Sequence, residues 1–120
     1  MDDRELLELA AKAIGREVRW IQGPDDEDCI HPIIRNSSDS CCIDWNPLAD
    51  DGDALRLACT LGLTVECDFH DSDTCTASET RGDIVADEQS GMLGEVIGDP
   101  EFAATRRAIV RAAAEIGRAM

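Results

Sequence analysis

The sequence predicts an α+β fold: an antiparallel sheet of about four to six strands packed with three helices in a layered sandwich. Three observations predict it. Capped amphipathic helices are legible at residues 3–14, 51–61 and 100–119. Residues 63–70 alternate apolar and polar side chains, the signature of a half-buried strand. The remaining strand-like runs are joined by short turns, which suit antiparallel hairpins. At 120 residues the chain fits one domain, residues 1–120.

Each element has a local cause. In the first helix, Asp2 or Asp3 caps the start, Leu6, Leu7, Leu9, Ala10, Ala13 and Ile14 form an apolar stripe, and Gly15 stops it. Residues 17–22 read as a strand, followed by the acidic turn Gly23-Pro24-Asp25-Asp26-Glu27-Asp28. Residues 29–35 read as a second strand that Pro32 moves toward an edge, and 40–44 as a short third. Trp45, Pro47 and Leu48 read as a staple leading into the middle helix. Asp50 or Asp51 caps that helix, Asp53 suits its dipole, Leu57, Ala58 and Leu61 face the core, and Gly62 ends it.

In 63–70, Leu63, Val65, Cys67 and Phe69 point one way and Thr64, Glu66, Asp68 and His70 the other. A slip of one residue would bury two acids and a histidine, so the register is well specified. Residues 73–79 and 82–88 read as two more strands, and the glycine-bearing 89–98 as a loop. Asp99 caps the last helix and Pro100 takes its first position. Its expected core stripe is Phe102, Ile109, Ala113, Ile116 and Met120, widened by Val110 and Ala112, with Arg106, Arg107, Arg111 and Arg118 on the polar side.

Charge narrows the function. There are 26 acids against 11 bases, a formal net charge of −15. Residues 21–98 hold 18 of the acids and only three arginines, so the imbalance lies between nearly neutral ends. Such a surface repels nucleic acid and anionic membranes and attracts basic protein surfaces. Its bland reading is a solvated face that keeps the protein in solution. No secretory signal is legible after Met1, and no apolar run is long enough to span a bilayer, so a cytoplasmic protein is expected. In that reducing compartment Cys29, Cys41, Cys42, Cys59, Cys67 and Cys75 read as thiols. Cys59, inside a helix, reads as a small core residue.

Motifs for chemistry are weak. Cys29-x-His31, Cys41-Cys42 and Cys67-x-x-His70 supply zinc-type ligands but no paired knuckles. No nucleophile signature surrounds a cysteine or histidine, and no phosphate-binding glycine loop is present. The run at 25–28 and the Asp68-x-x-Asp71-x-Asp73 cluster hold carboxylates without the glycine and terminal glutamate of a calcium loop. A protein without enzymatic activity, cofactor or metal is expected.

Two stretches, Asp44-Trp45-Asn46-Pro47-Leu48-Ala49-Asp50-Asp51-Gly52-Asp53-Ala54-Leu55-Arg56-Leu57-Ala58 and Asp99-Pro100-Glu101-Phe102-Ala103-Ala104-Thr105-Arg106-Arg107-Ala108-Ile109-Val110-Arg111-Ala112-Ala113-Ala114-Glu115-Ile116-Gly117, stand with the Leu6–Ala13 opening in the two end segments and the middle helix, roughly half the chain. They resemble small bacteriophage and prophage accessory proteins of the phage ABA-sandwich family. The resemblance implies a layered α/β fold and an accessory role in an infected bacterium, and it implies no settled activity. With the charge, the expected function is inhibition of a host nucleic-acid-binding defence complex, anti-CRISPR-like, by a DNA-mimicking surface. The expected partner is a host protein with a basic groove, met by Asp25, Asp26, Glu27, Asp28, Glu66, Asp68, Asp71 and Asp73. The alternatives are a phage structural or assembly protein binding through apolar surface such as Trp20 or Trp45, and a small metal-binding domain. A homodimer through the arginine side of the last helix is a further option.

Overall fold

The computed structural model describes residues 2–23, 26–35, 42–68, 74–79, 85–89 and 100–120. They form α1 (Asp3–Ala13), β1 (Val18–Gly23), β2 (Asp26–Arg35), β3 (Cys42–Asp44), α2 (Asp51–Leu61), β4 (Leu63–Asp68), β5 (Thr74–Glu79), β6 (Val85–Gln89) and α3 (Pro100–Ala119). The order of helices and strands is the expected one, and the fold mixes helix with antiparallel strand.

The single sheet of four to six strands is not formed. The strands make two separate three-stranded antiparallel meanders, β1-β2-β3 and β4-β5-β6. Alternation along a strand says which face is buried, not which hairpins share an edge. Here α2 comes between the two meanders in the chain, and each hairpin pairs with its sequence neighbour.

The helices obey their end signals. The Asp2 carboxylate accepts the Glu5 N–H at 2.8 Å, and that of Asp50 accepts the Asp53 N–H at 2.8 Å. Gly62 closes α2 at φ +66°, a left-handed conformation that a side chain would strain. The approach to α2 is tied twice through Asn46. Its N–H donates to Asp53 Oδ2 at 3.0 Å, and its Oδ1 accepts the Leu48 N–H at 3.2 Å. Trp45 and Pro47 are buried beside these bonds, as a staple requires.

The centre of the molecule is α3. It packs on α1, on α2 and on all three strands of the second sheet, while α1 also packs on β1 and so links the first sheet to the helices. Among the described side chains of the second sheet the buried ones are small: Cys75, Ala77 and Ala86, of which the last two are register partners. Both α1 and α3 bury small residues as well. Ala10 and Ala11 of α1 and Ala104, Ala108, Ala112, Ala113 and Ala114 of α3 are fully buried.

The two helices run parallel, since Asp3 pairs with Arg107 near their starts and Lys12 Nζ donates to the Met120 carbonyl oxygen near their ends. At Gly117 the backbones come so close that a Cβ would overlap the Leu9 carbonyl oxygen. Close approach multiplies short-range dispersion contacts, which compensates for the small side chains.

Two expectations about the core are corrected. Phe102 and Met120, assigned to the buried stripe of α3, are 56% and 66% exposed, whereas Arg106 is 8% exposed. A helix covered on several sides buries its small residues all round, so a stripe drawn through its largest apolar residues misses the core. Cys59, expected inside, lies on the exposed side of α2, whose buried residues are Ala54, Leu57 and Ala58.

Candidate functional site

Several helix carboxylates are paired with arginines. Asp51 Oδ1 lies 2.6 Å from Arg106 Nη1, Asp53 Oδ1 2.6 Å from Arg56 Nη2, and Asp3 Oδ1 2.9 Å from Arg107 Nη1. Looser pairs join Glu8 to Arg4 and Glu115 to Arg118. The hydrogen bond that Arg56 donates to Asp53 raises the Arg56 pKa above its ordinary value, against the opposing effect of desolvation. The arginines expected along a polar side of α3 are therefore used within the chain: Arg106, Arg107 and Arg118 in these pairs, with Arg111 engaged as well.

On the strands the balance differs. Residues 63–98 carry nine acids against the single Arg81. Glu66, in the middle of β4 opposite Thr76, is exposed and has neither hydrogen bond nor ion pair among the described residues. Asp68 ends β4 opposite Thr74. Asp26, Glu27 and Asp28 begin β2, where Asp26 stands opposite Gly23 beside a register shift. Asp25, Asp71 and Asp73 lie outside the described residues.

The described acids of the two clusters, Asp26–Asp28 and Glu66 with Asp68, thus stand on different sheets, and no described strand pairing joins them. The structure adds two acids that sequence reasoning missed. Asp87 and Glu88 on β6 stand at the register positions opposite Thr76 and Cys75, so Glu66, Thr76 and Asp87 form one row across the second sheet. Density along the chain singled out the clusters; the strand pattern of 82–88, read together with 73–79, carried the signal for this row.

Apolar surface gathers elsewhere. A cleft of about 440 Å³ lies between α2, β4 and α3, lined by Ala54, Leu55, Ala58, Val65, Phe102 and Ile109. Asp51 and Arg106 contribute its polar wall, and Leu55 and Phe102 are both more than half exposed. The tryptophans named as apolar contact surface are engaged internally. Trp45 is 5% exposed, and the Trp20 indole N–H donates to Glu8 Oε1 at 3.0 Å under the Arg4 guanidinium, 4.9 Å from the ring centre.

Among the described residues no three His, Cys, Asp or Glu side chains gather as metal ligands. Cys29 and His31 fall on β2 and Cys42 on β3, while Cys41 and His70 lie outside the described residues. No described helix is long and apolar enough to cross a membrane. The chain matches no family model, and comparison with curated proteins and with solved structures gives no match.

Proposed function

We propose that the protein is a non-enzymatic phage accessory protein that inhibits a host nucleic-acid-binding defence complex, anti-CRISPR-like, in the cytoplasm of the infected bacterium. Its acidic strands take the place of DNA in a basic groove. The observation that carries this reading is the local excess of acid around the second sheet: residues 63–98 carry nine acids against one arginine, and Glu66 is exposed with no ion pair among the described residues, while Asp3, Asp51 and Asp53 on the helices are paired with arginines. Glu66 and Asp68 are two residues apart on an extended strand, which sets their Cα atoms about 6.7 Å apart. That is the order of spacing between successive phosphates of a nucleic-acid strand. Steering by such a surface falls steeply with salt.

The test is capture of host lysate proteins on the immobilised protein, eluted with a salt gradient and repeated with Glu66→Lys/Asp68→Lys and with Asp26→Lys/Asp28→Lys. The expected result is release of basic nucleic-acid-binding proteins at moderate salt, competition by duplex DNA, and loss of capture in the charge-reversed variants. Capture unchanged by charge reversal overturns the proposal.

The exposed Leu55 and Phe102 beside the apolar cleft favour a second reading, a phage assembly or interaction protein. In that case binding resists salt and is lost with Leu55→Asp or Phe102→Asp.

A further inference from the structure

Cys67 on β4 and Cys75 on β5 are register partners, directly opposed across the antiparallel pair. Their sulfurs lie 3.8 Å apart. Opposed residues of such a pair have Cα atoms about 4.5–5.5 Å apart, inside the roughly 4.4–6.8 Å that a disulfide spans. The two thiols differ in access. Cys67 is exposed, whereas Cys75 has no exposed surface. The Cys67 sulfur also lies 3.7 Å from the Thr105 hydroxyl on α3, so it sits between a hydroxyl and a second thiol at the wall of the apolar cleft.

We propose that Cys67 and Cys75 form a reversible redox pair, with Cys67 the thiol that reacts first and Cys75 the thiol that resolves. An accessible cysteine held beside a second one is the arrangement from which intramolecular disulfides form. The oxidant is a small disulfide such as oxidised glutathione. The Cys67 thiolate attacks one sulfur of that disulfide, forming a mixed disulfide and releasing one glutathione thiolate. The Cys75 thiolate then attacks Cys67 Sγ, forming the Cys67–Cys75 bond and releasing the second glutathione. Two protein thiols are oxidised, one small disulfide is reduced to two thiols, and the protons of the protein thiols pass to the departing glutathione. Excess dithiol reverses both steps.

The site does not depend on the proposed function, but it lies within the acidic strand, because Glu66 and Asp68 flank Cys67. A covalent bond here fixes the β4–β5 register at the strand that carries those acids.

The test uses the whole chain equilibrated with graded ratios of reduced to oxidised glutathione, quenched by alkylation and digested with a protease that cuts after Asp and Glu. Cleavage at Glu66, Asp68, Asp73 and Glu79 leaves the two cysteines on different peptides, 67–68 and 74–79. The expected result is a linked pair of these peptides under oxidising ratios, with loss of both thiols to alkylation, and full recovery after dithiol. Cys75→Ala is expected to trap glutathione on Cys67. Cys67→Ser is expected to leave Cys75 unlinked. A linkage of Cys67 to Cys59 or another cysteine overturns the assignment, as does retention of both thiols at every ratio. The wild-type peptide map decides the matter even where a variant fails to fold.

Discussion

The guanidinium of Arg106 and the carboxylate of Asp51, 2.6 Å apart, fasten the start of α2 to α3. Arg106 also donates from Nε to the Leu48 carbonyl oxygen at 2.9 Å, so one buried cation ties α3 both to α2 and to the turn before it. Its side chain is 10% exposed and that of Asp51 64%. The arginine carries most of the desolvation, and the aspartate compensates it from the solvent side.

Arg106→Ala is expected to destabilise the fold by about 2 kcal/mol, through lost packing of the stem and two lost charge-assisted bonds. Asp51→Ala is expected to cost about 1–3 kcal/mol, because it leaves a buried cation with a single carbonyl partner. The double variant is expected to cost less than the sum. Urea unfolding midpoints of the three variants check this, and strict additivity would show that the pair is not coupled.

Gly117→Ala is expected to destabilise by about 1–3 kcal/mol, although alanine is the better helix former by roughly 1 kcal/mol. The added methyl meets the Leu9 carbonyl group and stands 3.3 Å from the Ala13 nitrogen, so it presses on backbone that no rotamer change relieves. Thermal unfolding gives the sign directly, and a stabilised variant would mean that α1 and α3 are farther apart than described.

Asp50→Ala is expected to cost about 1 kcal/mol, the usual weight of an N-cap aspartate. It removes the acceptor of the Asp53 N–H and a more distant partner of Arg56. Asp50→Ser is expected to restore most of the loss, since a hydroxyl also caps. Failure of serine to rescue would put the effect in charge rather than capping.

The raised pKa of Arg56 has a definite sign. A group whose folded pKa exceeds its unfolded value contributes stability that is fully present below the unfolded pKa and is lost as pH rises through the folded one. For a guanidinium that window lies in strongly alkaline solution. The difference in unfolding midpoint between the protein and Arg56→Ala is therefore expected to be the same at neutral and mildly alkaline pH. A change across that range would falsify this account of the Arg56 site.

At low ionic strength the net charge of −15 opposes compaction by self-repulsion. Raising a simple salt from roughly 0.01 M to 0.1 M shortens the screening length from about 30 Å to about 10 Å. The thermal midpoint is expected to rise over this interval. Glu66→Gln, which removes one unmatched carboxylate, is expected to reduce the rise. A midpoint that falls with salt would show that attractive ion pairs outweigh the repulsion.

Much of the local structure is legible in the sequence because it has local causes. Asp50 and Gly62 mark both ends of α2, and Pro100 marks the start of α3. The alternation of Leu63, Thr64, Val65 and Glu66 agrees with their burial, whereas Cys67, expected on the buried face, is exposed. What is not legible depends on distant parts of the chain. Arg106 reads as a solvent-facing arginine until Asp51 and Leu48 are brought to it from 55 and 58 residues away. Cys59 and Phe102 read as core because hydrophobicity says that a residue favours burial, not whether a neighbour arrives to cover it. The candidate acids were visible as clusters, but their division between two sheets follows from strand pairing, which composition does not encode.

Two short sheets have four outer strands where one continuous sheet has two. Here β1, β3, β4 and β6 each pair on one side only among the described residues. An unpaired strand edge is a template on which a second copy of the chain can add a strand, the first step toward amyloid-like growth. Acids stand on β4 at Glu66 and Asp68, on β6 at Asp87 and Glu88, and on β3 at Asp44. Two copies meeting edge to edge along β4 or β6 bring like charges together, so these carboxylates oppose strand addition between identical molecules.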